Sequence, residues 1–164
     1  MKSRLTWLSP LFKSAKEIYA NGALVGSLKQ NCFKQTAVGE LNGKGYTFRT
    51  KGIMHPETEI IDNSTNTAIG RITYNSWKTR AEINFFGRVI NLRYENAWNS
   101  RWNLFDANGV HYNFRGSSSK GTVEFEEPNE LLILSGLYIA NYYWQTSVAV
   151  MVAVFLPMWV AIFG

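Results

Sequence analysis

Apolar and polar residues alternate through most of the chain, from Ala15 to Glu127. The run "RAEINFF" places Ala81, Ile83 and Phe85 on one face, and the run "RVINLRY" after it alternates in the same way. A period of two is that of a β-strand with one buried side. We count about eleven such runs of strand length, which predicts a mainly β, antiparallel structure.

Turn residues separate these runs. Asn21-Gly22, Asn42-Gly43 and Asn108-Gly109 are hairpin signals, because Asn and Gly tolerate the positive φ angles of tight two-residue turns. Gly87 separates the two runs quoted above. The chain from Ala15 to Glu127 is therefore expected to be a meander of hairpins.

The chain also resembles itself at a shift of 44 residues, without gaps. Identical pairs at this shift include Gly26 and Gly70, Lys34 and Lys78, Ala37 and Ala81, Gly43 and Gly87, Arg49 and Arg93, and Asp62 and Asp106. These pairs indicate a repeated four-strand unit, although any meander of strands produces some echoes of this kind. Two units and a partial third, from Val110 to Glu127, would supply enough strands to close a barrel.

The pattern changes after Pro128. Asn129 is a good helix cap, and no charged side chain follows Glu130. The stretch "LLILSGLYIANYYWQ" is apolar nearly all round, which predicts a helix buried on every side in protein or in lipid. Gly136 lowers helix propensity, so packing is expected to hold this helix together.

Repeated four-strand units followed by an apolar helix resemble the tubby C-terminal-like barrel superfamily, which includes tubby domains, phospholipid scramblases and plant LURP-one-related proteins. The segments that carry the resemblance are "NGALVGSLKQ", "TAIGRITYNSWKTRAEINFFGRVINLRY", "WNLFDANG" and the helix from Leu131, over roughly residues 5 to 145. It implies a closed antiparallel barrel of twelve strands around its own C-terminal helix.

The proline-rich N-terminal segment and the acidic calcium-associated stretch of the scramblases are not seen in this sequence, and the phosphoinositide-binding residues of tubby domains do not align with it. The resemblance therefore implies a fold and an association with membranes, but neither calcium dependence nor a named lipid. Barrel physics agrees with the fold, since about eight strands give a lumen that strand side chains fill, and twelve leave room for a helix.

The end of the chain reads as a separate segment. We divide the chain into a barrel with its central helix, residues 1–145, and an apolar segment, residues 146–164. The latter would span roughly 28 Å as a helix, close to the thickness of a bilayer's hydrocarbon core. It is expected to be a membrane anchor behind an aromatic belt at Tyr142, Tyr143 and Trp144. The alternative is burial against the barrel or pairing with another copy, giving a homo-oligomer.

The net charge and its distribution limit the kinds of binding partner. The net charge is +5, and all charged side chains lie in the first 130 residues. A basic face can meet nucleic acid, anionic lipid or an acidic protein. No nucleic-acid-binding motif is present, so lipid is favoured, with the basic barrel on the cytoplasmic side of the membrane. Cys32 alone gives neither a disulfide nor a zinc motif. The stretch "LTWLSPLF" is too short for a signal peptide and lacks a cleavage site.

No catalytic constellation emerges. His55 and His111 lack metal-like neighbours, Asp62 and Asp106 precede turns and are expected to cap backbone, and "GSSSKG" lacks phosphate-loop spacing and reads as a hairpin loop. We therefore expect a non-enzymatic protein without a metal or cofactor.

Basic residues are the candidates for lipid headgroup binding. They lie on outward phases or turns: Lys34, Arg49, Lys78, Arg80 and Arg93, with Lys44 and Arg88 beside them. Each basic group near an anionic leaflet contributes about 1 kcal/mol. Ordinary solubilising charge is the alternative interpretation.

The sequence thus predicts a membrane-associated barrel that binds phospholipid or a membrane partner. The alternative is a soluble barrel of the lipocalin or fatty-acid-binding type, with an empty lumen for a small apolar ligand.

Overall fold

The computed structural model describes residues 1–10, 14–31 and 34–163, which form twelve β-strands and one α-helix. Cys32 lies outside the described residues. The elements are β1 (Ser3–Leu8), β2 (Ala15–Ala20), β3 (Ala23–Asn31), β4 (Thr36–Leu41), β5 (Lys44–Lys51), β6 (Glu57–Asp62), β7 (Thr67–Tyr74), β8 (Arg80–Phe85), β9 (Arg88–Tyr94), β10 (Arg101–Phe105), β11 (His111–Gly116), β12 (Lys120–Phe125) and α1 (Glu130–Phe163).

The strands form one closed barrel in which each strand pairs antiparallel with its neighbours in sequence. The ring closes where β1 pairs with β12, with Leu5 opposite Val123. Closure leaves no unpaired sheet edge, which removes the usual site of strand-to-strand aggregation. The twelve-stranded antiparallel barrel expected from the sequence is confirmed.

The first strand is the part of the barrel that the sequence pattern did not predict. The alternation recognised from Ala15 accounts for β2 to β12, whereas β1 overlaps the stretch considered as a signal peptide at residues 5–8. Its inward face rests on Leu5 and Trp7 alone, and two inward residues are too few to establish a period of two.

The 44-residue repeat maps strand onto strand, with β3 to β6 corresponding to β7 to β10. Gly26 and Gly70 show why the repeat is specific. Each directly follows the extra residue of a bulge in its own strand, and a Cβ on either would meet a backbone carbonyl oxygen, at 2.3 Å for Gly26 and 2.9 Å for Gly70. The two oxygens belong to Glu40 and Asn84, which are themselves 44 residues apart.

Alternate residues of the strands face the lumen, as the alternation predicts. Ala81, Ile83 and Phe85 are buried while their neighbours in β8 are exposed. The buried side chains of all strands form one apolar core with the first half of α1.

The helix α1 begins inside this core. Asn129 caps it, accepting a hydrogen bond from the backbone N–H of Leu132 at 3.1 Å. Nine consecutive residues, Leu131 to Ile139, are buried, so the helix is covered on all sides. Its Leu134 reaches β4 at Gly39, and its Gly136 lies against Phe114 of β11. The predicted helix at the centre of the barrel is confirmed.

A chain of hydroxyl groups fixes α1 against the barrel wall. Tyr138 hydrogen-bonds Thr50, which lies 2.7 Å from Thr58, and Thr58 lies 2.5 Å from the hydroxyl of Tyr74. The Tyr138 ring also stacks on Phe48 at 4.8 Å. Because buried hydroxyls need partners, this chain specifies one rotation and depth of the helix in the lumen.

The second half of α1 leaves the barrel. The helix continues through Gln145 without interruption, contains Pro157, and is exposed from Val148 to Ile162. By length and composition, α1 could cross a membrane. Its most apolar stretch of 18 residues has a mean hydropathy of 1.9, and none of those residues is buried. Within the described chain this segment does not fold back onto the barrel.

Candidate functional site

The two ends of the barrel have different surroundings. At the start end, α1 begins beside the β4–β5 turn, where Glu130 pairs with Lys44 at 3.0 Å. At the exit end, α1 leaves beside the β7–β8 loop, where the Tyr143 hydroxyl donates to the carbonyl of Arg80. The exit end also carries the β1–β2, β3–β4, β5–β6, β9–β10 and β11–β12 loops.

Large apolar side chains project from the exit-end loops into solvent. Ile53 is 97% exposed and Met54 87% in the β5–β6 loop, while Trp77 is 85% exposed in the β7–β8 loop and Trp98 89% in the β9–β10 loop. These loops surround the point from which the apolar half of α1 emerges. These exposed apolar side chains make the exit end the candidate contact surface.

Charge also differs between the ends. We counted the described loop residues together with the strand or helix residue that flanks each loop. The exit end carries Lys34, Lys51, Lys78, Arg80, Arg101 and Lys120 against Glu57 and Glu95. The start end carries Lys2, Lys44 and Arg88 against Asp62, Asp106, Glu126, Glu127 and Glu130. The end from which α1 emerges is therefore the basic end.

The five basic residues singled out from the sequence are divided between the exit end and the outer wall. Lys34 and Lys78 lie in exit-end loops, and Arg80 begins β8. Arg80 faces Arg93 directly across the β8–β9 pair, and the Arg93 guanidinium lies 5.7 Å from the centre of the Phe105 ring.

Arg49, the repeat equivalent of Arg93, lies on the outer wall at β5 with its guanidinium 3.9 Å from Glu59. It faces Thr36 rather than a second arginine. The structure therefore brings Arg80 and Arg93 together with one another but does not bring Arg49 to them.

Lys16 was missed by the sequence analysis. It lies on β2, is only 8% exposed, and donates hydrogen bonds to Ser9 Oγ at 3.1 Å and to the Ser118 carbonyl at 2.5 Å. Burial lowers the pKa of Lys16 to about 8. The signal was available, because Lys16 shares the inward phase of β2 with Ile18.

A cavity of about 260 Å³ opens beside Lys16 at the exit end; we call it the Lys16 cavity. Its wall is formed by side chains of β1, β10 and α1 and by the β9–β10 and β11–β12 loops. An aromatic cluster lies behind it, in which Trp102 stacks on Phe114 at 5.4 Å and Trp7 lies 5.8 Å from Trp102.

The two aspartates considered as catalytic candidates, Asp62 and Asp106, accept hydrogen bonds within turns. Asp62 accepts hydrogen bonds from the backbone N–H and the hydroxyl of Ser64, and these bonds lower the pKa of Asp62. Asp106 accepts hydrogen bonds from the backbone N–H groups of Val110 and Asn108 and pairs with Arg88. These interactions, the bond from Val110 first, lower the pKa of Asp106 as well. Backbone capping is confirmed for both.

The remaining candidates form no site together. Within the described part of the chain, no group of three metal-ligating side chains is found. His55 lies exposed in the β5–β6 loop and His111 is exposed at the start of β11. The "GSSSKG" stretch forms the β11–β12 connection, as expected for a hairpin loop.

No protein-family model matches the chain, and no curated protein or solved structure matches it either. Function is therefore argued from the geometry of the barrel, the helix and the exit end.

Proposed function

We propose that this protein is a non-enzymatic, membrane-anchored barrel whose exit end contacts the lipid surface, where it binds phospholipid or a membrane partner. The observation that carries the proposal is the change of α1 along its length, from buried on all sides at Leu131–Ile139 to exposed and apolar at Val148–Ile162. A soluble monomer would pay a large free-energy cost for exposing this surface to water.

The length of the exposed half suits a bilayer. Residues 146–162 rise about 26 Å as a helix, against a hydrocarbon core of about 30 Å. A helix satisfies its own backbone hydrogen bonds in lipid, and a proline such as Pro157 is tolerated there. Tyr142 and Trp144 lie where the helix leaves the barrel, the position that aromatic side chains prefer at a membrane interface.

The exit end supports the same arrangement. With the helix inserted, Ile53, Met54, Trp77 and Trp98 would reach the interface, while the surplus of basic side chains would face lipid headgroups. Anionic lipid would attract this end and repel the acidic start end. A basic exit end corresponds to the cytoplasmic side of a membrane, where we place the barrel.

Lys34, Lys78 and Arg80 are the proposed headgroup contacts among the residues selected from the sequence, since they lie at the exit end. Arg93 would contribute through the groove that it shares with Arg80 and Phe105. Arg49 lies beside Glu59 and is proposed as a weaker contributor. Kinship with the tubby-like barrel superfamily remains part of this proposal and rests on the layout of strands and helix.

The alternative function, a soluble lipocalin-type barrel that carries a small apolar ligand, requires an empty lumen. Leu131 to Ile139 occupy the lumen of this barrel, so the structure offers an apolar ligand no comparable space there.

Flotation of the full chain with phosphatidylcholine vesicles tests the anchor. The protein is expected to float with vesicles and to resist extraction by high salt and carbonate, whereas a chain truncated after Gln145 is expected to lose this resistance. The double variant Val152→Lys with Leu156→Lys places two charges on one face of the exposed helix and should behave like the truncation.

A matched control adds the same charge elsewhere. Leu24→Lys with Val89→Lys alters two exposed apolar residues near the start end and should float like the unmodified chain. If the full chain is soluble and monodisperse without detergent, the anchor proposal is wrong. A soluble oligomer that the 152/156 variant dissociates would instead assign the segment to self-association.

A further inference from the structure

The Lys16 cavity contains a cation without a counterion. Lys16 is 8% exposed, and its ammonium has only neutral oxygen partners, from Ser9 and Ser118. No aspartate or glutamate lines the cavity among the described residues. A buried charge normally has an ionic partner, because an unpaired one is costly in a low-dielectric interior.

The ammonium of Lys16 has capacity for one more acceptor. An ammonium has three N–H groups, and the two hydrogen bonds of Lys16 leave one of them free. Trp7 and Trp102 also contribute to the wall, but their indole nitrogens have almost no accessible surface, so the ammonium of Lys16 is the donor considered for an acceptor in the cavity. A buried cation with an unused N–H group and no ionic partner points to an acceptor that carries negative charge.

The position of the cavity indicates where such an acceptor comes from. Trp144 and Ser147 of α1 line it, immediately before the exposed segment from Val148. Trp98, which is exposed, lies at its rim. A molecule with its head in the cavity could therefore extend an apolar part along α1 in the direction of the proposed membrane.

We infer that the Lys16 cavity binds the phosphate of an anionic membrane phospholipid, with the Lys16 ammonium as its principal ionic partner and the lipid's acyl chains lying along α1. This inference rests on the proposed function, since it takes the exit end to be the end that meets lipid. It assigns a single stoichiometric site, distinct from the diffuse attraction of exposed basic residues such as Lys34 and Lys78.

Short-chain lipids test the site on the full chain in neutral detergent micelles. Dihexanoyl phosphatidic acid, dihexanoyl phosphatidylcholine and inorganic phosphate are titrated separately, and binding is followed by tryptophan fluorescence and by ³¹P NMR. Phosphatidic acid is expected to bind at one site and at least tenfold more tightly than phosphatidylcholine. Inorganic phosphate is expected to bind at least tenfold more weakly than phosphatidic acid, because it has no acyl chain.

Two variants with the same change of charge separate the site from general attraction. Lys16→Met should weaken phosphatidic acid binding at least tenfold, whereas Lys29→Met, which removes an exposed lysine of β3, should weaken it less than twofold. Equal losses in the two variants would overturn the inference. Inorganic phosphate binding as tightly as phosphatidic acid would show a site for soluble anions and would also overturn it.

A measurement on the unmodified chain keeps the test decisive if Lys16→Met does not fold. Phosphatidic acid must then raise the thermal midpoint of the unmodified chain more than phosphatidylcholine does, and equal shifts refute the inference. Flotation separates the two proposals. A chain that floats without preferring phosphatidic acid refutes the site alone, and one that binds phosphatidic acid but does not float refutes the anchor alone.

Discussion

Gly136 offers a direct test of the helix at the centre of the barrel. In an isolated helix, Gly136→Ala would stabilise by about 1 kcal/mol, because alanine has the higher helix propensity. In this structure, a Cβ at position 136 would lie 2.4 Å from the Cζ atom of Phe114 and 2.9 Å from its Cε2 atom. The Phe114 ring is stacked on Trp102 and is 1% exposed, so it has little room to move.

The sign of the effect is therefore expected to reverse. Overpacking a well-filled core costs about 1–3 kcal/mol. After subtraction of the propensity gain, Gly136→Ala should destabilise the chain by roughly 1 kcal/mol. Phe114→Leu removes the far end of the ring, so in that background the same alanine should be neutral or stabilising. The double-mutant cycle should give a coupling of about 1–2 kcal/mol.

Denaturant unfolding of the full chain in mild detergent, followed by near-ultraviolet circular dichroism, measures the four free energies. The denaturant slope should be the same for all four proteins, which shows that the differences arise from stability. If Gly136→Ala stabilises the chain with no coupling to Phe114, the helix does not pack against β11 and the description of the lumen is wrong.

Three other perturbations follow from the structure. Phe86→Asn should raise the free energy of unfolding by roughly 0.5–1 kcal/mol in the same assay, because Phe86 is exposed at φ 50° and asparagine tolerates that conformation better. Asn42 has this role in the equivalent turn, Asn42-Gly43. A loss of stability would refute the equivalence of the two turns. Burial lowers the pKa of Lys16 to about 8, so the charged side chain opposes folding below that pH. The free energy of unfolding of the unmodified chain, relative to that of Lys16→Met, should therefore increase from pH 8 to pH 10. A difference that does not change with pH would show that the ammonium is not buried. Trp77→Ser with Trp98→Ser should weaken vesicle binding of the chain truncated after Gln145 by about thirtyfold in a sedimentation assay, because each exposed indole contributes about 1 kcal/mol when it enters the interface. Unchanged binding would remove these loops from the contact surface.

The local pattern of the chain determined the strands, the turns and the nature of the helix. The alternation in "RAEINFF" already places Ala81, Ile83 and Phe85 on the buried face, since side chains alternate across a strand whatever surrounds it. Asn129 predicts the start of the helix, and the absence of charged residues after Glu130 requires that the helix be covered on all sides. These properties depend on neighbours in sequence.

Tertiary structure decided which distant residues share a surface. β1 becomes a strand through its pairing with β12, which lies more than 100 residues away, and its own two inward residues could not indicate this. Arg49 and Arg93 are equivalent in the repeat, yet only Arg93 meets a second arginine, because their neighbouring strands carry different residues. Lys16 becomes an unpaired buried cation because closure brings β2, the β11–β12 loop and α1 around it. Burial and charge pairing are properties of the closed barrel, and its closure depends on contacts that no local pattern contains.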